Sequence, residues 1–353
     1  MIWTKIHFFG NYYRENNWVI YVKLITNRIF NTLIQVYLID LKQSNMLKYL
    51  LFLLSITSLV KAQNNAVEPA FEFLSNYYHI RDFTISSNQN EAYFTIVSPN
   101  EKLSAIAIIK KVKDQWSKPE LVSFTGKYKD LEPFLSSDGL KLYFASNRPL
   151  RENGKIKDFD IWYVERKNNQ SEWSAPINIG NPINTSADEF YPTVASNKNL
   201  YYTSDSDKSM GKDDIFMSVW NGKNYENPIR LDENINSKGY EFNAYISPDE
   251  TFLIYTIYGS PDGLGSGDLY ISFKDENGNW KKSFNLKEFN SDSMDYCPFY
   301  DASTQTLFFT SKRSLPATKS FQNISEFESE IQKYQNGLSR IYKVSLKDVL
   351  EKN

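Results

Sequence analysis

Short apolar and aromatic runs, parted by turn residues, recur along this chain. The clearest set lies between Asp188 and Tyr225: Phe190–Ala195, Leu200–Thr203 and Ile215–Trp220. The turn formers Ser196 to Asn199 separate the first two, and a polar, glycine-containing loop separates the last two. Runs this short, rich in Tyr, Phe, Val and Thr, predict β-strands rather than helices. The same frame returns at Glu132 to Ser146 with Asp160 to Tyr163, and at Glu241 to Asp249 with Phe252 to Tyr255 and Asp268 to Ile271. A further copy runs Asp295 to Asp301, Leu307 to Ser311 and Arg340 to Lys343. A fainter first one runs Asp82 to Asn88, Ala92 to Thr95 and Ala105 to Ile108. The second-strand starts Ala92, Leu142, Leu200, Leu253 and Leu307 are 50, 58, 53 and 54 residues apart. Such a period with only strand signals inside predicts an all-β propeller of four-stranded blades. Five blades are expected, with six as the alternative.

The last copy shows no fourth strand of its own after Val344. A ring closes most economically if one end of the chain completes the blade begun by the other. Residues 67–78, which include Ala70 to Leu74, are therefore expected to supply the closing strand. In the other units the fourth strand is marked by an aromatic residue and a proline: Trp116 with Pro119, Trp173 with Pro176, and Tyr225 with Pro228. Trp280 holds the place without the proline. Proline is tolerated on an outward edge, and each aromatic ring is expected to pack on the neighbouring sheet. Between Arg313 and Ser339, Ser325 to Glu328 reads as a capping box, and Phe327, Ile331 and Tyr334 fall at helical spacing. That predicts a short amphipathic helix near 325–336, packed as a lid on its own blade, with a partner-binding helix as the alternative.

The chain's start divides differently. Lys48, the apolar stretch Tyr49 to Val60, and Val60-Lys61-Ala62 before Gln63 form a secretory signal peptide at 46–62, its core too short for a comfortable membrane span. Residues 1–45 are then expected to be a non-native extension, with Met46 the initiator. The closing segment occupies 63–79 and the propeller 80–353. Residues 1–62 hold seven Lys or Arg and two Asp or Glu, leaving 33 basic against 40 acidic groups beyond the cut. That balance argues against nucleic acid or an anionic membrane as the main partner. The single Cys297 excludes a disulfide framework, and of the two His only His79 lies past residue 62. No cofactor and no metal are expected.

Ser136 to Arg148, Ser247 to Tyr255, and the third-strand starts Asp160-Ile-Trp-Tyr, Asp214-Ile-Phe and Asp268-Leu-Tyr resemble the TolB-like, WD40-like propeller repeats of exported bacterial proteins. Trp173 to Gly180 and the signal peptide's Lys-Ala-Gln ending resemble the versions found in Bacteroidetes-type bacteria. The resemblance spans about residues 80 to 345. It implies a periplasmic or secreted partner-binding module, or a non-catalytic domain, and specifies no ligand.

Blade topology puts the start of strand one and the loop between strands two and three on one face. Asp130, Glu189, Glu241 and Asp295 are expected to ring the channel mouth there, with Phe190, Phe242 and Tyr296 directly after three of them. Loops 147–159, 204–213, 257–267 and 312–338 should surround them, as binding loops on a rigid scaffold. Carboxylates recurring in every blade suit acceptors for loop N–H groups better than catalysts, which need unlike groups. Arg148 and Arg313 read as loop pins. Asp205 to Gly211 resembles a calcium loop, but its Gly stands one place late and no Glu closes it, so it reads as a turn. Gly259 to Gly267 is glycine-rich with no helix signal after it, and reads as a flexible loop. No Gly-x-Ser-x-Gly and no His-Glu-x-x-His is present. The expected function is an exported, non-enzymatic, monomeric module engaging a protein, peptide or envelope glycan through the loop-rich face. The alternative is a five-bladed glycoside hydrolase using Glu189, Glu241 and Asp295, with Phe190 and Phe242 stacking sugars.

Overall fold

Alternation along each strand buries both faces of every sheet, because each sheet lies between two others. In the second sheet Leu142, Phe144, Trp162 and Val164 pack on Tyr93, Ile106 and Ile108 of the one before. On its other face Ile161 meets Leu200, Tyr202 and Phe216 of the one after. The computed structural model describes residues 66–316 and 320–352. The signal peptide expected at 46–62 and the extension 1–45 lie outside the described residues.

Five antiparallel sheets form a five-bladed propeller. Blade I holds His79–Ile85, Glu91–Val97 and Ser104–Val112, with Gln115–Trp116 and Glu120–Leu121 at its outer edge. Blade II holds Asp130–Leu135, Lys141–Ser146, Asp160–Glu165 and Ile177–Asn178; blade III holds Glu189–Val194, Leu200–Ser204, Asp214–Ser218 and Ile229–Arg230. Blade IV holds Tyr240–Ile246, Phe252–Tyr258, Gly267–Phe273 and Phe284–Asn285. Blade V joins Asp295–Asp301, Thr306–Ser311 and Arg340–Ser345 to Glu68–Pro69 from the far end of the chain, which pairs Glu68 with Lys343 and Pro69 with Tyr342.

Closure by an N-terminal strand is as expected, but the strand is shorter. It ends at Pro69, and Glu72–Leu74 coils into a 3-10 turn. The turn sinks Phe71 and Leu74 into the core, where the Phe71 ring meets Phe83, Trp116 and Phe308. That contact joins blades I and V and outweighs a longer ladder.

The fourth strands also shift. Each marker aromatic stands four residues before the outer strand, as Trp173 does before Ile177 and Tyr225 before Ile229. The rings reach the preceding blade: Trp116 lies on Phe71, and Trp173 on Tyr93 at 6.2 Å. The insert helix, α1, is Ile324–Ile331. Its cap is Asn323 rather than Ser325: Asn323 Oδ1 accepts from Glu326 N at 2.9 Å, and Glu326 reaches back to Gln322 N. Nor is α1 a packed lid. Tyr334, just past it, is buried and donates to Ile341 O at 2.8 Å, whereas Phe327 and Ile331 face solvent.

Candidate functional site

In every blade the register between strands one and two slips near the middle of strand one, two residues facing one. This is a β-bulge, and its first residue has left-handed backbone: Asp82, Glu132, Tyr191, Asn243 and Cys297, with φ between 50° and 60°. The bulges aim these five side chains inward, one from each blade, and all are buried. A bulge frees an N–H that needs an acceptor. A strand-two threonine of the preceding blade serves in three cases: Thr310 for Asp82, Thr95 for Glu132 and Thr203 for Asn243, at 3.1–3.2 Å. Blade II carries Ala145 at that register, and Glu132 Oε2 takes the Tyr191 N–H instead, at 2.7 Å.

The rest of the cluster is closed on itself. Arg81 donates from Nε to Asp82 Oδ1 at 2.6 Å and from Nη2 to Glu132 Oε1 at 3.1 Å. The Cys297 thiol donates to Asp82 Oδ1 at 2.8 Å, Asn243 Nδ2 donates to Glu132 Oε1 at 3.4 Å, and Tyr191 Oη donates to Pro298 O at 3.0 Å. Burial, with the Asp82 charge second, pushes the Glu132 carboxyl up to about 7 against Arg81 and its hydrogen bonds. The same two causes push the Cys297 thiol up. Arg81 is held firmly protonated, since Asp82 and its other neighbours outweigh burial. Above the cluster, Phe190, Phe242 and Met294 pack with Tyr296 against Tyr191 and Cys297. Arg81 itself reaches a cleft of about 80 Å³ that Tyr296 also lines.

The structure therefore brings together the mouth aromatics Phe190, Phe242 and Tyr296, but it turns the four acids into their own loops. Glu189 accepts from Thr185 N and Oγ1 at 3.1 and 2.6 Å, and Glu241 from Ser237 N and Oγ at 2.8 and 2.6 Å. Asp295 accepts from Ser291 N and Oγ at 2.6 and 2.7 Å, and Asp130 from Thr125 Oγ1 at 2.8 Å. Arg148 reaches Asp130 at 2.6 Å and Arg313 reaches Asp295 at 2.8 Å, while both arginines also hold a backbone carbonyl. Burial raises Glu189 to about 7 and raises Glu241, each opposed by its hydroxyl partner.

Asp205 to Gly211 forms a turn, Ser209 N bonding Ser206 O, and Asp205 accepts from Asp188 N. The glycine-rich loop is folded rather than loose. Asp268 accepts from Leu264 N and Gly265 N, and a β-carbon at Gly265 would overlap the Ser293 carbonyl. Among the described residues no group of three or more His, Cys, Asp or Glu is arranged to hold a metal ion, and no helix is long and apolar enough to cross a membrane.

Reading the sequence missed Arg81, Asp82, Glu132, Tyr191, Asn243 and Cys297 as one cluster. A signal was present: Pro133, Pro192 and Pro298 each interrupt a strand-one run, and proline inside a strand marks a bulge.

Fold and site together define a five-bladed β-propeller whose axis is plugged by a polar cluster. No family model and no curated protein matches the chain. Among solved structures it is similar to TolB from Acinetobacter baumannii, at 15% identity over 75% of this chain and 54% of TolB, with a TM-score of 0.42. This chain thus matches about half the length of that TolB. It is also similar to a GH43 endo-arabinanase from Bacillus licheniformis, at 12% identity over 75% and 93% of the two chains, TM-score 0.46. A third likeness is to an α-L-arabinofuranosidase from Lactobacillus brevis, at 14% identity over 76% and 92%, TM-score 0.45.

Proposed function

We propose that this chain is an exported, non-catalytic binding module of the TolB-like kind, whose loop-rich face engages a protein or peptide of the cell envelope. The observation that carries this reading is the outward apolar side of α1. Ile324, Phe327 and Ile331 lie at i, i+3 and i+7 and are 69%, 44% and 52% exposed, and Leu315 from the same insert is 63% exposed. An apolar ridge on a helix suits a groove in a partner. Beside Arg81 the cleft holds about 80 Å³, well under the ~300 Å³ of small ligand pockets. Export rests on the signal-peptide pattern at 46–62. Capture from envelope extract with the full chain, set against a Phe327→Asp, Ile331→Asp variant, tests the reading. A partner held by the first and lost by the second is expected; the same partners on both would sink it.

A second reading, glycoside hydrolysis, draws on Asp82 and Glu132. They are unlike carboxylates on adjacent blades that share Arg81, and Glu132 sits at about 7, a proton donor's range. A screen of aryl glycosides and arabinans tests it. Turnover abolished by both Glu132→Gln and Asp82→Asn would favour it, and no turnover on any substrate would remove it.

A further inference from the structure

An open groove lies away from the loop-rich face. It holds about 1240 Å³ and runs between blades II and III at the opposite end, beside the turns that join strands one to two and three to four. Its origin is a change of residue at one register position. The ladders align Arg166, just past strand three of blade II, with Trp220 of blade III, and they align Glu91, Lys141 and Asn199 at the foot of strand two. Between blades I and II, Arg166 grips Glu91 and stacks on Trp173 at 4.3 Å. Between blades III and IV, Glu250 accepts from Tyr201 Oη at 2.7 Å and from Asn199 Nδ2 at 3.1 Å. Between blades II and III the positions hold Lys141 and Trp220, and no salt bridge among the described residues crosses the gap. The gap stays open.

Two kinds of side chain line it. Tyr163, Trp173, Trp220 and Tyr225 are only partly buried, and Trp220 meets Tyr225 edge to face at 5.0 Å. Lys167, Lys198 and Lys223 are exposed on the rim and form no salt bridge among the described residues, Lys198 acting on Asp138 only at longer range. Of the three acids that line it, Asp138 accepts from Ser136 Oγ and Leu140 N, Glu165 pairs with Lys141 at 3.4 Å and Glu172 is exposed, against the five cations Lys141, Arg166, Lys167, Lys198 and Lys223. Cations thus gather at one groove of a domain whose acidic groups outnumber its basic ones. Flat ring faces, unpaired ammonium groups and the serine and asparagine side chains of Ser174, Ser196 and Asn224 suit linked sugar rings that carry carboxylates. Sugar C–H faces would lie on the aromatic rings, hydroxyls on the polar side chains, and carboxylates by the lysines. The volume exceeds the ~300–1,000 Å³ typical of one small ligand and so accommodates several linked rings. An acidic peptide would meet the lysines but has no series of flat apolar faces to set on the half-buried rings, of which Trp220 and Tyr225 carry no cation over the face among the described contacts.

We propose that the groove between blades II and III binds an acidic oligosaccharide. The site is separate from the α1 ridge. Titration calorimetry of the full chain with a hexamer of galacturonic acid tests it, alongside the fully methyl-esterified hexamer and hexaglutamate. The acid hexamer should bind, its ester and hexaglutamate should each bind at least about five-fold more weakly, and salt should weaken the acid form. Trp220→Ala should cost about ten-fold, the order of one lost aromatic contact. The exposed pair Lys198→Glu and Lys223→Glu should cost as much without lowering the melting temperature, so a fold defect in the tryptophan variant leaves the test intact. No binding of the acid hexamer, equal binding of the ester or of hexaglutamate, or affinity unmoved by the lysine pair would overturn the proposal. Envelope-protein capture through α1 should persist in both groove variants, which keeps this outcome distinct from failure of the binding-module reading.

Discussion

Tyr191, Asn243 and Cys297 share no side-chain chemistry with Asp82 and Glu132, yet all five take the same left-handed backbone at the same register. Left-handed conformations away from glycine cost of order 1–3 kcal/mol each and persist where surrounding bonds fix them. Threonine hydroxyls of the preceding blade do so at Asp82, Glu132 and Asn243, and Glu132 does so at Tyr191, where Ala145 breaks that series. The cluster has a pH signature. Glu132, raised from 4.5 to about 7, keeps its proton in the folded chain where the unfolded chain has lost it. Its contribution to stability is therefore full below about 4.5, falls as pH rises, and is gone above about 7. Glu189, raised to about 7 by burial, adds the same sign. The melting temperature should fall between about pH 4.5 and pH 7, and Glu132→Gln should flatten part of that slope; parallel curves for the two proteins would take Glu132 out of the account. The acids Asp130, Glu189, Glu241 and Asp295 were legible because they recur. The axial residues differ from blade to blade, so repetition concealed them, and only the three prolines marked the bulges.

Strands one to three of each blade were readable because burial on both faces demands long apolar runs. The fourth strands are two-residue edges in blades II, III and IV, with one half-buried residue each, too short to leave a pattern of their own. Only the aromatic anchor four residues earlier stood out. α1 shows the converse: its spacing was correct for a helix, but periodicity does not reveal whether an apolar side meets its own blade or waits for another molecule. At the closing turn, Phe71 is 5% exposed and wedged among rings of two blades. Phe71→Ala should cost about 3–5 kcal/mol, as large-to-small changes in aromatic cores do. Denaturant midpoints measure this, and a loss below about 1 kcal/mol would mean the turn only covers the ring's edge.

Over the whole molecule, repetition in sequence became a ring in space, and the ring divides labour between its ends. One carries the long loops, α1 and the aromatic roof over the axis; the other carries the wedge between blades II and III. Removing residues up to Leu74 takes away the Glu68–Pro69 strand together with Phe71 and Leu74. Amide exchange should then accelerate in blades I and V together, because the lost turn packs on Phe83 of one and Phe308 of the other. Acceleration confined to Arg340–Ser345 would show that the turn is local trim.

The pairing of Glu68 with Lys343 carries a consequence for how the protein is made. Two segments nearly the full length of the domain apart must find each other before the circle is shut, so blades I and V cannot lock together until the final strand has emerged from the ribosome. A nascent chain halted before Arg340 should stay open to proteases in blades I and V, waiting for its other half of the clasp.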